Sequence, residues 1–371
     1  MEERKKLFEK IKKIYKKEGK VVIQAATGSG KTQITLNLIK DTTKETHILT
    51  PTTDIAKGWK DEIERWKMQH LLPYLKIYCY QSLHKNMKHG IDYVMDEAHR
   101  ITYNRLSYLK AYLTPETKII ALSATIAKDK REILRELGLR AEHYVNFNTD
   151  QAVKAGFIVD YQMIVYTIPL GTEKRADLPR FKYPISETKA YEWLTSSINI
   201  AKRNMDWNKV SFLSIWRKQL LAGLPSKEIV AKEIIKRFPK DKRNLVFAAN
   251  IKQSDRLCKY SYHSKSDKEL LENYRKGNFN VLSSVGKLIE GINAPCDSLL
   301  KLGVDAKERN LIQVLGRSLR KDPNNPDKKA VAVVLVAENT QEEVWMRNTT
   351  ANFKNLLIKK WEEKKKQNTT A

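Results

Sequence analysis

Short apolar runs alternate with segments of helical periodicity along the first part of the chain. The runs with the length and content of buried strands are residues 20–24, 47–50, 76–80, 91–95 and 118–122. Apolar residues at helical spacing predict helices over 3–17, 54–68 and 104–113, the second of them capped by Asp54. Strands that alternate with helices in this way form a mostly parallel sheet with helices on both faces.

The alternation returns in the second half of the chain. Its apolar runs of strand length are residues 161–168, 244–248, 258–262, 279–283, 297–302 and 330–336. Residues 171–240 interrupt them with a charged, helical stretch that contains the aromatic residues Tyr191, Trp193, Trp207, Phe212 and Trp216. Aromatic side chains stack on nucleic-acid bases, but more often they pack helices together, and packing is the interpretation that we favour.

We therefore predict an α/β protein of two tandem domains, each built on a parallel sheet. The predicted segments are a first domain at 1–148, a linker at 149–160, a second domain at 161–345 with a helical insertion near 171–240, and a basic helical tail at 346–371. A chain of 371 residues is long enough to bury two cores of ordinary size.

The net charge of the chain favours one class of binding partner. The formal net charge is +26 and the isoelectric point is about 9.7. An excess this large attracts polyanions and speeds their capture, so it favours nucleic acid as the partner over a merely lysine-rich, solvated surface.

Cysteine usage and hydropathy indicate the compartment. Cys79, Cys258 and Cys296 lie far apart in the chain and form neither a zinc-binding spacing nor a disulfide framework. No apolar window approaches the length of about 18 residues that a membrane span needs. The basic N-terminal segment also has no apolar core like that of a signal peptide. We expect a soluble cytoplasmic protein with no membrane partner.

Candidate chemistry begins with A-A-T-G-S-G-K-T at residues 25–32, between a predicted strand and a predicted helix. The residues that would surround a phosphate there are Thr27, Gly28, Ser29, Gly30, Lys31 and Thr32. The glycines let backbone N–H groups point into a concave nest, and the start of the helix favours an anion. Lys31 can reach the β- and γ-phosphates, and the Thr32 hydroxyl can ligate Mg²⁺. The pattern predicts a site for a nucleoside triphosphate.

Two further segments follow strands of the same predicted sheet. Asp96 and Glu97 open D-E-A-H after the strand at 91–95, and S-A-T at 123–125 follows the strand at 118–122. The carboxyl ends of parallel strands meet at one edge, so these segments should join the phosphate-binding loop. Asp96 can hold Mg²⁺ through its coordination shell, and Glu97 can act as the general base toward water.

Positive charge for phosphoryl transfer is available in Q-V-L-G-R-S-L-R at residues 313–320. Gln313, Arg317 and Arg320 have helical spacing and share one stripe of the predicted helix. Such charge stabilises the transferring phosphoryl group in the transition state.

As a set, these segments resemble the motifs of superfamily 2 helicases. The matching stretches, in the correct order, are A-A-T-G-S-G-K-T, T-P-T-T at 50–53, D-E-A-H, S-A-T, V-F-A-A-N at 246–250, V-G-K-L-I-E-G-I-N-A-P at 285–295, and Q-V-L-G-R-S-L-R. The resemblance implies two RecA-like domains with ATP and Mg²⁺ in the cleft between them. It also implies that Arg317 and Arg320 act as arginine fingers.

The resemblance assigns further roles by position. It implies that Gly291 and Asn293 contact the nucleotide, although the family usually has aspartate where Asn293 stands. The residues that would couple the nucleotide site to nucleic acid are His99, Ser123 and Thr125. Those that would contact nucleic acid are Thr50, Pro51, Thr52, His263 and Ser264. Too little chain precedes the phosphate-binding loop for an upstream adenine-reading glutamine motif, so adenine specificity follows from the family alone.

The L-I-E-G-I-N-A-P segment, with glutamine opening the last motif, looks more like the branch of XPB-like, phage UvsW-like and restriction-motor proteins than like the DEAD-box RNA helicases. We therefore expect an ATP-driven DNA helicase or translocase, with possible origin in a phage that acts in a bacterial host. The alternatives are an RNA helicase, an ATP-gated nucleic-acid clamp, and the motor subunit of a larger complex. Protein partners would come from replication, recombination or repair.

Overall fold

The structure is a computed structural model that describes residues 2–362 except 26–27, 155, 176–177, 179–180, 286–293, 305–310, 312–313, 317, 320–324, 326 and 352. The chain divides into two compact units whose main boundary lies between Asp160 and Tyr161. In the described part of the chain, no helix is both long and apolar enough to cross a membrane.

Unit 1 is a parallel sheet with helices between its strands. Its strands are β1 Lys20–Ala25, β2 Thr46–Thr50, β3 Leu75–Cys79, β4 Asp92–Met95, β5 Ile119–Ser123 and β6 Tyr144–Phe147. Its helices are α1 Glu2–Glu18, α2 Lys31–Ile39, α3 Thr53–Arg65, α4 Tyr103–Tyr112, α5 Lys128–Glu136 and α6 Thr149–Lys154. The strand order is β3-β2-β4-β5-β1-β6.

The central strands of unit 1 are buried on both faces. Every residue of β2, β4 and β5 is buried, which explains why these segments read as continuous apolar runs and not as alternating ones. One core cluster joins this sheet to α4 and α5 through side chains such as Leu106, Leu109, Ile133 and Leu134. The sheet is therefore a rigid base for the loops at its carboxyl edge.

Unit 2 repeats the architecture with its own sheet. Its strands are β7 Asp160–Ile168, β8 Asn244–Phe247, β9 Ser261–Tyr262, β10 Val281–Ser284, β11 Ser298–Lys301, β12 Lys329–Ala337 and β13 Leu356–Lys360. Its described helices are α7 Glu187–Arg203, α8 Trp207–Ala222, α9 Pro225–Lys236, α10 Ile251–Leu257, α11 Lys268–Lys276 and α12 Gln341–Thr350. The strand order is β13-β7-β12-β11-β8-β10-β9, and the pairs with a described register are parallel.

A buried ion pair joins helices α9 and α12 of unit 2. Lys227 on α9 and Glu342 on α12 are both buried and hydrogen-bonded to each other. Lys227 Nζ also donates to the carbonyl of Leu221 at 2.8 Å. The Glu342 carboxylate accepts from the N–H of Ala337 at 2.8 Å and from that of Val304 at 3.2 Å. Because all of these groups are satisfied, the pair fixes α9 and α12 in one arrangement.

Three features of the sequence prediction need correction in unit 1 and at its boundary. The helix expected at 54–68 starts at Thr53, and its cap is Thr52, whose hydroxyl accepts from the N–H of Ile55 at 3.3 Å. β6 is an unpredicted strand that pairs with β1. The segment expected as a linker at 149–160 contains α6 and ends at the first residue of β7.

The basic helical tail predicted at 346–371 is helical only at its start, and the prediction is wrong for Leu356–Lys360. The last described helix ends at Thr350, and Leu356–Lys360 is a strand that pairs in parallel with Met163–Thr167 of β7. The backbone of β7 would otherwise expose an unpaired edge, and lysines suit an edge strand. Trp361 then packs its ring against Tyr166, with ring centroids 5.1 Å apart. Pairing and this aromatic contact outweigh the helical periodicity.

We predict that Glu342→Gln lowers the free energy of unfolding by about 3–5 kcal/mol, because it leaves the buried Lys227 ammonium without its counter-charge. Denaturant titration followed by circular dichroism measures this. Glu233→Gln is the matched control, since Glu233 pairs with Lys236 at 3.0 Å on the surface of α9. That variant should unfold like the unmodified protein, and equal stabilities for all three proteins would contradict the prediction.

Candidate active site

Three neighbouring strands of unit 1 end at the same edge of the sheet. In the order β4-β5-β1, Met95 lies beside Ala121, and Ser123 lies beside Gln24. The segments that follow these strands are therefore adjacent, as the sequence predicts from the parallel connections.

The loop after β1 leads into α2 through glycines in left-handed conformations. Gly28 has φ 86° and Gly30 has φ 78°. A Cβ on Gly30 would meet nothing closer than 3.6 Å, so backbone conformation, not space, is what requires glycine there. The start of α2 has no side-chain cap and no acidic residue in its first turn. The Lys31 ammonium donates to the carbonyl of Ala25 at 2.9 Å, which holds it over the loop. This cradle suits a phosphate group.

Asp96 directly follows β4. Its Oδ2 accepts from Trp59 Nε1 at 2.8 Å, and its Oδ1 accepts from the N–H of Glu97 at 2.9 Å. Burial and the neighbouring charge of Glu97 raise the pKa of Asp96 to about 6, against the lowering effects of the Trp59 hydrogen bond and of Lys31. A divalent cation would favour the charged carboxylate. Asp96 and the half-buried Thr32 are thus residues that fit an Mg²⁺ ion.

Glu97 has an unusual backbone for a residue with a side chain. Its φ of 50° and ψ of 53° are left-handed, and a short 3₁₀ turn over Ala98–Arg100 follows. Non-glycine residues in this conformation cost about 1 kcal/mol or more and cluster at functional sites. The turn brings Glu97 Oε2 to 3.2 Å from His99 Nδ1.

His99 links this turn to the end of β5. The Ser123 hydroxyl donates to the carbonyl of Thr125 at 2.7 Å, so it accepts from His99 Nδ1–H at 2.9 Å. Nδ1 therefore carries a proton, and it is also the ring nitrogen that faces Glu97. We call the hydrogen-bonded pair of His99 and Ser123 the relay. Both residues are buried, so the relay is enclosed. The structure thereby brings together the predicted base and the three predicted coupling residues.

The predicted contacts to nucleic acid after β2 divide into two kinds. Thr50 is fully buried, and its hydroxyl donates to the carbonyls of Thr52 at 3.1 Å and Tyr78 at 3.3 Å. Its side chain cannot contact nucleic acid, which corrects that assignment: Thr50 shapes the loop from inside the sheet. Pro51 and Thr52 are half-buried, and their contact with nucleic acid stays a prediction.

In unit 2, the predicted His263–Ser264 contact lies in a turn after β9. The N–H of His263 donates to Ser266 Oγ at 2.9 Å, and His263 Nε2 lies 3.4 Å from Asp255 Oδ1. These bonds leave Ser264 exposed. Six predicted site residues lie outside the described residues: Thr27, Gly291, Asn293, Gln313, Arg317 and Arg320.

Several known proteins are similar to this chain in sequence or in fold. Residues 2–128 match the family model described as the type III restriction enzyme res subunit. The DNA 3'-5' translocase XPB2 of Sulfurisphaera tokodaii is 22% identical over 369 residues, covering 89% of this chain and 80% of the relative. Among solved structures, S. cerevisiae Dbp5 bound to RNA and ADP BeF3 has a TM-score of 0.56 at 14% identity and covers 92% of this chain and 85% of its own. The Pyrococcus furiosus Hef helicase domain has a TM-score of 0.54 at 14% identity, with 93% and 97% covered.

The resemblance to superfamily 2 helicases, nearest the XPB-like branch, is confirmed. The two solved structures also confirm the fold, which is a tandem pair of RecA-like α/β domains. That residues 96–99 function as the DEAH box of such a helicase stays a prediction.

Sequence reasoning missed two residues that position Asp96. Trp59, on α3, is buried and donates to the Asp96 side chain. Tyr80 is also buried, and its hydroxyl donates to the Asp96 carbonyl at 2.9 Å. The available signal was the aromatic side chains at these positions, since buried tryptophan and tyrosine need a polar partner. Nothing in the spacing identified that partner.

We predict that Trp59→Phe moves the acid limb of the kcat/KM profile for ATP hydrolysis to higher pH by about one unit. The indole N–H favours the charged Asp96 carboxylate, so its loss raises the pKa of Asp96, and activity falls at a higher pH on acidification. Trp66→Phe is the control, because Trp66 Nε1 donates to Glu62 on the surface at 2.8 Å. If the acid limb of Trp59→Phe is unshifted, Trp59 does not affect the ionisation of Asp96 and serves only in packing.

Proposed function

We propose that this protein is an ATP-dependent DNA helicase or translocase, a nucleic-acid-dependent ATPase. The observation that carries the proposal is the meeting of Lys31, Asp96 and Glu97 at one sheet edge, with Glu97 facing the His99–Ser123 relay. A site that only bound nucleotide would not need a carboxylate held beside a buried relay.

The residues of the proposed site have separate roles in ATP hydrolysis. The nest at Gly28–Gly30 and the start of α2 hold the phosphates, and Lys31 neutralises charge on the β- and γ-phosphates. Glu97 accepts a proton from the attacking water as general base. We further propose that Arg317 and Arg320 supply positive charge to the transferring phosphoryl group, with Gln313 alongside. Gly291 and Asn293 would complete the nucleotide contacts.

Thr32 and Asp96 would hold Mg²⁺, which when bound neutralises phosphate charge. Two protein ligands suffice, because Mg²⁺ usually keeps several waters and binds substrate phosphates. Among the described residues, no group of three or more His, Cys, Asp or Glu side chains could hold a metal ion.

The relay offers a route from chemistry to nucleic acid. His99 Nδ1–H donates to the Ser123 hydroxyl and lies 3.2 Å from Glu97 Oε2, and the Ser123 hydroxyl donates to the backbone carbonyl of Thr125. A change of charge at Glu97 therefore alters the hydrogen bonding of the segment after β5. We propose that this segment senses bound nucleic acid, so that hydrolysis and movement are coupled.

DNA is the proposed track. The S. tokodaii relative, named a DNA translocase, covers most of this chain, whereas the RNA-bound Dbp5 structure is similar in fold only. The net charge of +26 suits contact with phosphates. Cys79, Cys258 and Cys296 are free thiols, which supports action in a reducing compartment such as the cytoplasm. Protein partners in replication, recombination or repair remain part of the proposal.

The test is steady-state ATP hydrolysis measured separately with single-stranded DNA, duplex DNA, branched DNA and RNA. We expect stimulation by at least one form of DNA and a weaker response to RNA. Lys31→Ala should abolish turnover with every polymer, which excludes a contaminating ATPase. Stronger stimulation by RNA would establish the RNA helicase alternative, and ATP binding without turnover would establish a clamp.

We predict that Glu97→Gln lowers turnover by about 10²–10⁴-fold, because it removes the general base but keeps the size of the side chain. ATP and DNA binding should persist, and fluorescence anisotropy with labelled DNA should detect a complex stabilised by ATP. Glu132→Gln on the exposed face of α5 is the control and should behave like the unmodified protein. If Glu97→Gln retains near-normal turnover, Glu97 is not the base.

A further inference from the structure

The α7–α8 hairpin carries an aromatic cluster that neither the sheet nor the ATP site uses. Its members, which we call the platform, are Phe181, Trp193, Phe212 and Trp216. The ring centroids of Trp193 and Trp216 are 5.3 Å apart, and those of Phe181 and Trp216 are 5.2 Å apart. Phe212 joins at 6.3 Å from Trp216. These contacts place rings from two helices and the preceding loop in one patch.

Much of this patch faces solvent. Trp193 is 47% exposed and Phe212 is 55% exposed, although large aromatic side chains are costly to leave in water. The hairpin core is built from buried residues that include Leu194, Ile198 and Leu213, and Phe181 and Trp216 pack against it, whereas Trp193 and Phe212 are not part of this packing. The packing role that the sequence favoured for the aromatics therefore fits only some of them.

Tyr191 shows what a structural aromatic looks like in this hairpin. Its hydroxyl accepts from the N–H of Gln341 at 2.8 Å, and the Arg217 guanidinium lies 5.8 Å from the centroid of its ring. Tyr191 is half-buried and ties α7 to the start of α12. Trp193, two residues later on α7, keeps nearly half of its surface exposed.

The exposed charged residues near the platform in sequence have one dominant sign. Between Phe181 and Lys218 they are basic at Lys182, Lys189, Lys202, Arg203, Lys209 and Lys218, and acidic at Glu192 and Asp206. Lys189 lies four residues before Trp193 on α7, and Lys209 lies three residues before Phe212 on α8, so each shares a helical face with a platform ring. A basic surface with exposed aromatic rings is complementary to a nucleic acid strand, whose phosphates and base faces it can contact together. An apolar protein surface would match the rings but not the surrounding lysines.

We propose that the platform binds unpaired bases of single-stranded DNA by stacking, while the surrounding lysines contact the phosphates. This inference rests on the proposed function, because it names a second DNA site on the same motor. Base faces are covered by neighbouring pairs in a duplex, so the site selects unpaired DNA. Stacking also accepts every base, so the site has little sequence preference. Unpaired DNA held there lies outside the sites that the helicase motifs supply.

The experiment compares two labelled probes of equal length by fluorescence anisotropy with the full-length protein. One is an oligothymidylate, and the other is an abasic oligodeoxynucleotide that has the same phosphates but no bases. We expect the protein to bind the oligothymidylate more tightly. Trp193→Ala and Phe212→Ala should each weaken that binding about tenfold and leave abasic binding unchanged. Trp193→Phe should restore most of the loss.

Two controls separate stacking from charge and from folding. Tyr103→Ala removes an aromatic that is 58% exposed on α4 and should leave both affinities unchanged. Lys189→Gln should weaken both probes to a similar extent, because both contain phosphates. Circular dichroism should give the same unfolding midpoint for the platform variants as for the unmodified protein.

The results that would contradict the proposal can be told apart. Equal binding of both probes, with ATP hydrolysis still stimulated by DNA, would overturn the proposed role of the platform and leave the proposed function intact. Binding of neither probe, with no stimulation, would overturn both. Normal DNA binding by the platform variants, together with a loss of self-association in sedimentation, would show a contact between copies of the chain and overturn the proposal.

Discussion

The half-buried carboxylate of Asp96 is the constraint on which the proposed site depends. It lies beside a second carboxylate at the end of an apolar strand, where burial alone would favour its neutral form. Hydrogen bonds from the Trp59 indole and from the following backbone N–H oppose this and orient the side chain. The left-handed turn at Glu97 then separates the two acids in function. One suits a cation, and the other faces His99.

Much of the unit 1 site could be predicted because its residues sit at strand ends. Apolar runs that are buried on both faces are legible in sequence, and parallel connections place their carboxyl ends together. That logic predicts the meeting of Lys31, Asp96 and Ser123. It could not assign Trp59 to Asp96, because the contact joins a helix face to a loop and has no fixed spacing. It also could not reveal that the Thr50 hydroxyl turns inward.

The second unit was harder to read for a related reason. Its aromatic residues have helical spacing whether they pack or face water, and only tertiary contacts separate Tyr191 from Trp193. The burial of the Lys227–Glu342 pair could not be predicted from the sequence either, since charged residues on helices usually lie at the surface. Long-range pairing also decided the strand at Leu356–Lys360 against its local helical pattern.

That strand has a consequence for how the protein is made. β7 opens unit 2, yet one of its neighbours in the sheet is β13, which leaves the ribosome after every other strand of the described chain. The edge of β7 therefore waits unpaired through most of synthesis, while the hairpin and the remaining strands emerge. Contacts this distant along the chain close slowly, and open strand edges invite pairing with other chains. Nascent unit 2 therefore has an open strand edge at which it can pair with other chains until β13 has been made.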